Sequence, residues 1–373
     1  MKIGIDARMY RSEVAGIGRY SQNLIKNLLQ LDSKNEYIFF MTQKDADEFL
    51  LTNESKNSNV EVVITEIEHY SLAEQLKLPK IFEAEKPDLM LFLNFNHPVN
   101  YKKKFITVIH DLTLIKFPDT AKRTNAIKKM AFNYVIKSAC QNAAKIIAIS
   151  ENTKRDIVDI FHIDPANVEV IYEAADDKSV LECRQENVEE LKKKYKINEQ
   201  VVLYVGQYRP HKNLPTLVDA FAKVKSQIPS KLVLVGKVDP EHHRLFESID
   251  KSGVKNDILL TGFVTDEDLS CWYKLATVFV FPSLYEGFGL PGLEAMQAGT
   301  PVVAANNSVL PEIYKDAALY FDPFKTEEIS DKIKKVLEDE TLRADLIRKG
   351  KVVAQGFTWQ KTAEKTLKII KQV

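Results

Sequence analysis

Cysteine is scarce in this chain. Among 373 residues there are three, Cys140, Cys183 and Cys271, scattered and odd in number. That excludes a disulfide framework and a zinc module, and it leads us to expect reduced thiols in a cytosolic protein. A surplus of either charge is also absent. Lysine and arginine total 52, as do aspartate and glutamate, and the pI is near 7.1. Nucleic acid as the main partner normally needs a basic excess, so that class is disfavoured. No segment approaches 18 uninterrupted apolar residues, and the N-terminal MKIGIDARMYR lacks the apolar core of a secretion signal. The expectation is a chain neither secreted by that route nor membrane-spanning. Neither an internal repeat nor a low-complexity stretch is present.

What is there is ordinary in bulk and informative in order. Apolar residues make up 45% and charged residues 28%, as in soluble globular proteins. A chain of this length exceeds what one core usually supports, so two domains are expected. Strand-like runs at Lys2–Met9, Tyr37–Met41, Val60–Ile64, Leu89–Leu93, Phe105–Ile109 and Lys145–Ile149 alternate with helical patterns. Among the latter, Tyr20, Leu24, Ile25, Leu28 and Leu31 share one helical face, a long helix is expected over Ala121–Ala143, and Ser150 caps a helix over Glu151–Phe161. This is the βαβ rhythm of a doubly wound parallel sheet. Between about Glu173 and Gln200 the rhythm breaks into a highly charged stretch that reads as a solvated connector helix. A second series follows, with strands at Val201–Val205, Lys231–Val235, Asp257–Thr261, Thr277–Phe281, Pro301–Ala304 and Ala318–Phe321. Three of these strands end in glycine (Gly206, Gly236, Gly262), marking the carboxyl edge along which open α/β sheets bind ligands. Two such domains would face each other across a central cleft.

The most informative stretch runs from Phe281 to Ala295. An apolar strand enters a loop holding Glu286, Gly287, Phe288, Gly289 and Leu290, and Pro291 is suited to begin the helix that carries Gly292 and Glu294. Glycines let backbone approach a ligand, and amides at a helix start attract anions. Two carboxylates beside such a loop suit a ligand that has hydroxyls as well as phosphate, which describes a nucleotide sugar. At the start of the second domain, Gly206-Gln207-Tyr208-Arg209-Pro210-His211-Lys212 offers cations to neutralise a diphosphate leaving group. Gly16-Ile17-Gly18-Arg19-Tyr20 resembles a dinucleotide fingerprint, but Ser21 stands where its third glycine belongs and no acidic residue ends a second strand. His110-Asp111 forms a polar pair at a strand end, and Ser150-Glu151-Asn152 reads as a helix cap or a ligand contact. Lys102, Lys103, Lys104, Lys122, Arg123, Lys128, Lys129 and Lys137, interleaved with Met130, Phe132, Tyr134 and Val135, form a basic amphipathic patch whose default reading is a solvated face.

Glu286-Gly-Phe-Gly-Leu-Pro-Gly-Leu-Glu294-Ala resembles the glutamate–seven–glutamate motif of retaining glycosyltransferases of the GT-B fold, specifically family 4, and the resemblance extends over nearly the whole chain. It implies an α/β fold of two Rossmann-like doubly wound domains. Residues 1–176, completed by a C-terminal helix at about 357–373, would bind the acceptor, and residues 177–356 the nucleotide-sugar donor. It also implies transfer of a hexosyl group, of mannose or glucose type, to a glycan or lipid-linked acceptor in cell-surface polysaccharide synthesis. Glu286 would contact donor-sugar hydroxyls, Glu294 the ribose, and the amides of Gly287, Phe288, Gly289 and Leu290 the sugar and diphosphate. Lys212 matches the family's lysine. Gln207 replaces the family's arginine, and Arg209 is the nearest substitute. Gly16, Gly18 and Gly206 would approach the phosphates, while Lys237, Phe263 and Val264 would approach the base. His110 would position the sugar and assist the developing positive charge through its carbonyl. With no DxD motif at a comparable site, neither metal nor cofactor is expected, only the nucleoside diphosphate sugar as substrate. Lipid-linked acceptors would make the basic patch a peripheral contact with the inner membrane face of a cytoplasmic protein. The alternatives are a sugar-nucleotide epimerase or hydrolase on the same fold, a NAD-dependent oxidoreductase, and a non-catalytic subunit; the last would be expected to have lost Glu286 or Lys212.

Overall fold

The computed structural model describes residues 1–11, 15–118, 126–175, 183–238 and 243–373. They group into two compact units. Unit 1 comprises Met1–Ile115, Ala121–Glu173 and Thr358–Val373, and unit 2 comprises Lys116–Thr120 and Ala174–Phe357.

Unit 1 is built on seven strands: β1 (Lys2–Asp6), β2 (Glu36–Met41), β3 (Val60–Ile64), β4 (Leu89–Phe92), β5 (Phe105–Ile109), β6 (Lys145–Ala148) and β7 (Val168–Val170). Their order is β3-β2-β1-β4-β5-β6-β7, and every pair is parallel. The runs LMLF in β4 and FITVI in β5 are buried throughout, as strands covered on both faces must be. Two apolar clusters serve this sheet, one around Ile109, Ile136, Ile146 and Phe161 and the other around Phe40, Phe82, Phe92 and Phe105. The order reverses between β1 and β4, where an open α/β sheet leaves a crevice at its carboxyl edge.

Several local readings need adjusting. The helix after β1 is Ala15–Leu31, so Gly16 and Gly18 lie in its first turn and not in a loop before it. A β-carbon on Gly18 would come within 2.0 Å of the Arg11 carbonyl oxygen, whereas one on Gly16 would meet nothing. Helices Gln43–Leu50 and Leu72–Ala84 and the short β7 had no clear pattern; Pro79 sits inside the second of these helices, where proline argues against one. The long helix is described over Ala126–Asn142; residues 121–125 of its expected span, with Lys122 and Arg123, lie outside the described residues, and Ala143 follows the helix. Ser150 does cap Glu151–Phe161, accepting a hydrogen bond from the Thr153 amide. The terminal helix Trp359–Ile370 belongs to unit 1, with the Trp359 ring 5.6 Å from that of Tyr20.

Unit 2 carries β8 (Gln200–Val205), β9 (Ser230–Val235), β10 (Ile258–Gly262), β11 (Val278–Phe281), β12 (Val302–Ala305) and β13 (Ala318–Phe321). The order β10-β9-β8-β11-β12-β13 is again all parallel, with its reversal between β8 and β11. The charged connector forms helix Gln185–Tyr195 but is not merely solvated. Val188 and Leu191 are buried, and the Tyr195 ring lies 5.2 Å from that of Trp272. Beside it Cys183 and Cys271 form a disulfide, which corrects the expectation of three reduced thiols; Cys140 alone is free and is buried. Their Cα atoms stand 5.2 Å apart across 88 residues of sequence, a proximity that spacing alone does not signal. Among the described residues no helix is long and apolar enough to cross a membrane.

Candidate functional site

The carboxyl edge of the unit 2 sheet collects most of the motif residues. Gly206 follows β8 and Gly236 follows β9, with φ of 153° and 148°. The two turns touch through backbone: a β-carbon on Gly236 would come 2.0 Å from the Gly206 carbonyl oxygen. Past Gly206, the Gln207 side-chain oxygen accepts a hydrogen bond of 3.3 Å from Arg209 Nε. Gln207 and Arg209 are therefore joined side chain to side chain. Lys212 ends the short turn Pro210–Lys212, and its Nζ lies 2.6 Å from Glu286 Oε1 and 5.7 Å from the Phe281 ring centroid. The lysine side chain is 16% exposed and the glutamate 12%, so the pair is half-buried but open to a ligand. Strand ends β8 and β11 are thereby joined at the reversal point, and the Leu284 amide donates to the His211 carbonyl at 2.7 Å. Burial, then the charges of Lys212 and Arg209, push the His211 imidazole down to about 3, so it is neutral.

The glycine loop after β11 is held from behind. Ser308 Oγ accepts from the Glu286 amide and donates to the Glu286 carbonyl, at 3.1 and 2.9 Å. Tyr314 donates to the Gly289 carbonyl at 2.6 Å. Gly289, with φ of 101°, caps helix Leu290–Ala298, in which Pro291 takes the second position. Gly292 has no room for a side chain, because a β-carbon there would lie 2.2 Å from the Tyr314 hydroxyl. Burial and then the Glu286 charge raise the Tyr204 and Tyr314 phenols well above their usual range, so both stay protonated. Gly287, Phe288 and Gly289 are buried, and Phe288 packs edge-on against Phe357 at 5.6 Å. Glu294 is buried and accepts from the Tyr273 hydroxyl at 2.7 Å, so the two motif glutamates have different partners. Lys237 is exposed, Phe263 is 86% exposed and Val264 is partly so, all at the same sheet edge.

In unit 1, both ring nitrogens of His110 are committed. Nδ1 is 2.8 Å from Glu173 Oε1 and Nε2 is 2.8 Å from the Leu93 carbonyl oxygen. Burial alone would lower its pKa, but the hydrogen bond and charge of Glu173 prevail and raise it. An imidazolium with two acceptors fits that geometry, and the Tyr20 ring stands edge-on 4.7 Å away. Glu173 lies 63 residues from His110, and no sequence signal marks it.

A second buried polar group at this edge also escaped the sequence. Arg8, 0% exposed, pairs with Asp6 and Glu74 at 2.7 Å each and donates to the Ile67 carbonyl at 2.9 Å. Burial would raise both carboxyls. Arg8, joined at Glu74 by a bond from His69, outweighs that and holds both below their usual range. Asn96 Nδ2 donates to Glu74 Oε1 at 2.6 Å, and Asn94 Oδ1 accepts from the Asn96 amide at 2.6 Å. The positions just past β1 and β4, at the reversal point, were the available clue. Among the described residues no cluster of three or more histidine, cysteine, aspartate or glutamate side chains could hold a metal ion.

Two doubly wound parallel sheets, one with a glycine loop, paired glutamates and a lysine at its reversal point, define a GT-B architecture. The comparisons agree. Residues 14–179 match the model of Glycosyltransferase Family 4, and residues 187–353 match that of Glycosyl transferases group 1. The chain belongs to the family 4 glycosyltransferases. It is 28% identical to O-antigen chain mannosyltransferase B of Escherichia coli, covering 100% of both chains. To the serotype-specific mannosyltransferase WbdA of the same organism it is 27% identical over 97% of this chain but only 47% of that one, so it spans about half of WbdA. Among solved structures, sucrose-phosphate synthase from Thermosynechococcus elongatus superposes with a TM-score of 0.77 at 21% identity, covering 100% of this chain and 98% of that one. Anabaena HepE, solved with UDP and glucose, gives 0.77 at 18% identity over 100% of both. At these identities the structural likenesses speak for the fold alone.

Proposed function

We propose that this chain transfers a hexosyl group, mannose by its similarity to O-antigen mannosyltransferases, from a nucleoside diphosphate sugar to a glycan acceptor, with retention at the anomeric carbon. The observation that carries the reading is the Lys212–Glu286 pair at 2.6 Å, set at the reversal point of the unit 2 sheet beside a glycine loop. A cation and a carboxylate together match the two halves of such a donor: phosphate oxygens for Lys212, sugar hydroxyls for Glu286. Arg209, positioned by Gln207, would share the growing charge on the leaving diphosphate. The amides from Gly287 to Leu290 would approach the sugar and diphosphate, Glu294 the ribose, and Lys237, Phe263 and Val264 the base. Similarity to O-antigen mannosyltransferases along the full chain supports a role in polysaccharide synthesis.

Two cations at the leaving group would do the work of a divalent ion, so activity should survive EDTA. His110, with both nitrogens engaged, would act on the donor through its carbonyl and through the rigidity of its segment. Exposed Ile127, Met130 and Tyr134 on the helix that carries Lys128 and Lys129 support contact with an anionic membrane face, which co-sedimentation with anionic vesicles would test. The central test is a thermal-shift screen against GDP, UDP and ADP and their sugars, followed by transfer to mannosyl acceptors. A shift with none of these ligands would overturn the reading. Rapid turnover of donor with no acceptor present would favour the epimerase or hydrolase instead.

A further inference from the structure

Three neighbouring strands of unit 2, β8, β11 and β12, have their carboxyl ends stitched to one another. The Leu284 amide donates to the His211 carbonyl at 2.7 Å, which ties the loop after β11 to the turn that presents Lys212. From the other side, Asn307 Nδ2 donates to the Leu284 carbonyl at 2.9 Å. Ser308 then closes both backbone groups of Glu286 with one hydroxyl, accepting from the amide at 3.1 Å and donating to the carbonyl at 2.9 Å. The carboxylate of the same glutamate meets Lys212 Nζ at 2.6 Å. Glu286 is thus held at its main chain by the turn after β12 and at its side chain by the turn after β8.

The turn after β12 bears two local costs in doing so. Ser308 sits in the left-handed region at φ 53°, which is disfavoured for a residue with a β-carbon. Lys86, His162, Lys196 and Lys315 also have positive φ, but they lie just past helices, where such a residue commonly stops the helix. Ser308 instead follows a strand and ends no helix. Asn307 Oδ1 is buried and has no hydrogen-bond partner among the described residues, although its amide nitrogen is bonded. A buried acceptor left unpaired costs free energy. Glycine at position 308 would remove the first cost, because it takes positive φ freely. It has no hydroxyl, however, and could not bridge Glu286. Backbone strain that the surroundings enforce clusters at sites that must be preorganised.

We propose, resting on the transfer reaction inferred above, that Ser308 is a positioning residue for Glu286: its hydroxyl fixes the glutamate's peptide groups so that the carboxylate stands ready for the sugar before the donor arrives. Base and diphosphate are met by other groups, so the bridge should govern the rate of transfer and not the grip on the nucleotide.

The test sets stability against rate at one position. Ser308→Gly relieves the backbone and loses the bridge. Its melting temperature should stay close to that of wild type while kcat falls about 10- to 100-fold, the effect of a small misplacement at a reacting centre. Ser308→Thr keeps the hydroxyl but puts a β-branched residue at positive φ. Its melting temperature should fall while kcat, measured where the variant is folded, stays close to wild type. Affinity for the nucleoside diphosphate that the thermal-shift screen selects, measured by calorimetry, should be unchanged in both. A further readout needs no ligand. Acetylation of Lys212 by an N-hydroxysuccinimide ester, followed by mass spectrometry, should quicken severalfold in Ser308→Gly, because a carboxylate held in place keeps the ammonium protonated. Activity that followed melting temperature across the two variants would make the role structural only and overturn the inference. So would a Ser308→Gly protein with kcat and Lys212 labelling unchanged. If wild type bound no nucleoside diphosphate, the donor-site reading would fail on its own, and the labelling rates would still decide whether Ser308 holds Glu286 against Lys212.

Discussion

The two sheets meet their reversal points with the same ingredients, a cation and carboxylates, and arrange them to opposite ends. In unit 1, Arg8 is wholly buried and spends four of its five donors on Asp6, Glu74 and a carbonyl. In unit 2, Lys212 meets a single carboxylate and keeps part of its surface open. A guanidinium has five donors in a rigid fork and can be fully satisfied inside a protein, whereas an ammonium facing one carboxylate retains donors for a ligand. One arrangement fixes structure and leaves a surplus of acceptors; the other holds charge in reserve.

Removing each cation separates these roles. Arg8→Met strands two buried carboxylates and should cost about 3–5 kcal/mol, read as a steep fall in melting temperature. Lys212→Ala should lower kcat about 100- to 1000-fold while reducing the melting temperature far less. If instead Lys212→Ala melted the protein and spared transfer, the contrast between the two edges would be wrong. Gly292→Ala drives a methyl into the Tyr314 hydroxyl and should cost about 1–3 kcal/mol, with activity falling as the glycine loop shifts; a neutral result would mean that Tyr314 does not set the loop. The smallest effect concerns His110. Its pKa is raised in the folded state, so its pairing with Glu173 stabilises fully below the unfolded value near 6.5 and loses that contribution as pH rises through the folded value. Glu173→Gln should therefore lower the His110 titration midpoint measured by NMR, and the stability gap to wild type should narrow between mildly acidic and alkaline pH. A gap that widened upward would contradict the imidazolium assignment.

Much of the architecture was legible because its signals are local. Buried parallel strands write continuous apolar runs, and a glycine at a strand's end announces a turn, so the two series of strands and the edge at Gly206, Gly236 and Gly262 could be read directly. The Glu286–Glu294 loop was legible for the same reason, being one contiguous segment. Partners distant in sequence were not. Glu173 beside His110, Glu74 beside Arg8, Tyr314 behind Gly292 and Cys183 bonded to Cys271 become neighbours only when the chain folds. Where periodicity was weak or proline intervened, as in Leu72–Ala84, even a local element escaped.

The contact between Gly206 and Gly236 bears on how such a site can vary. Because main chain rests on main chain there, the path of the segment leading to Lys212 is set by atoms common to all amino acids. Gly236 cannot gain a side chain without displacing that path, whereas exposed Gln207 and part-exposed Arg209 along it are under no such restraint. Side chains such as Gln207 and Arg209 can exchange along it, because the rail is fixed while its passengers exchange seats. Drift in this loop would thus alter which side chains line the sheet edge long before it alters the course of the main chain.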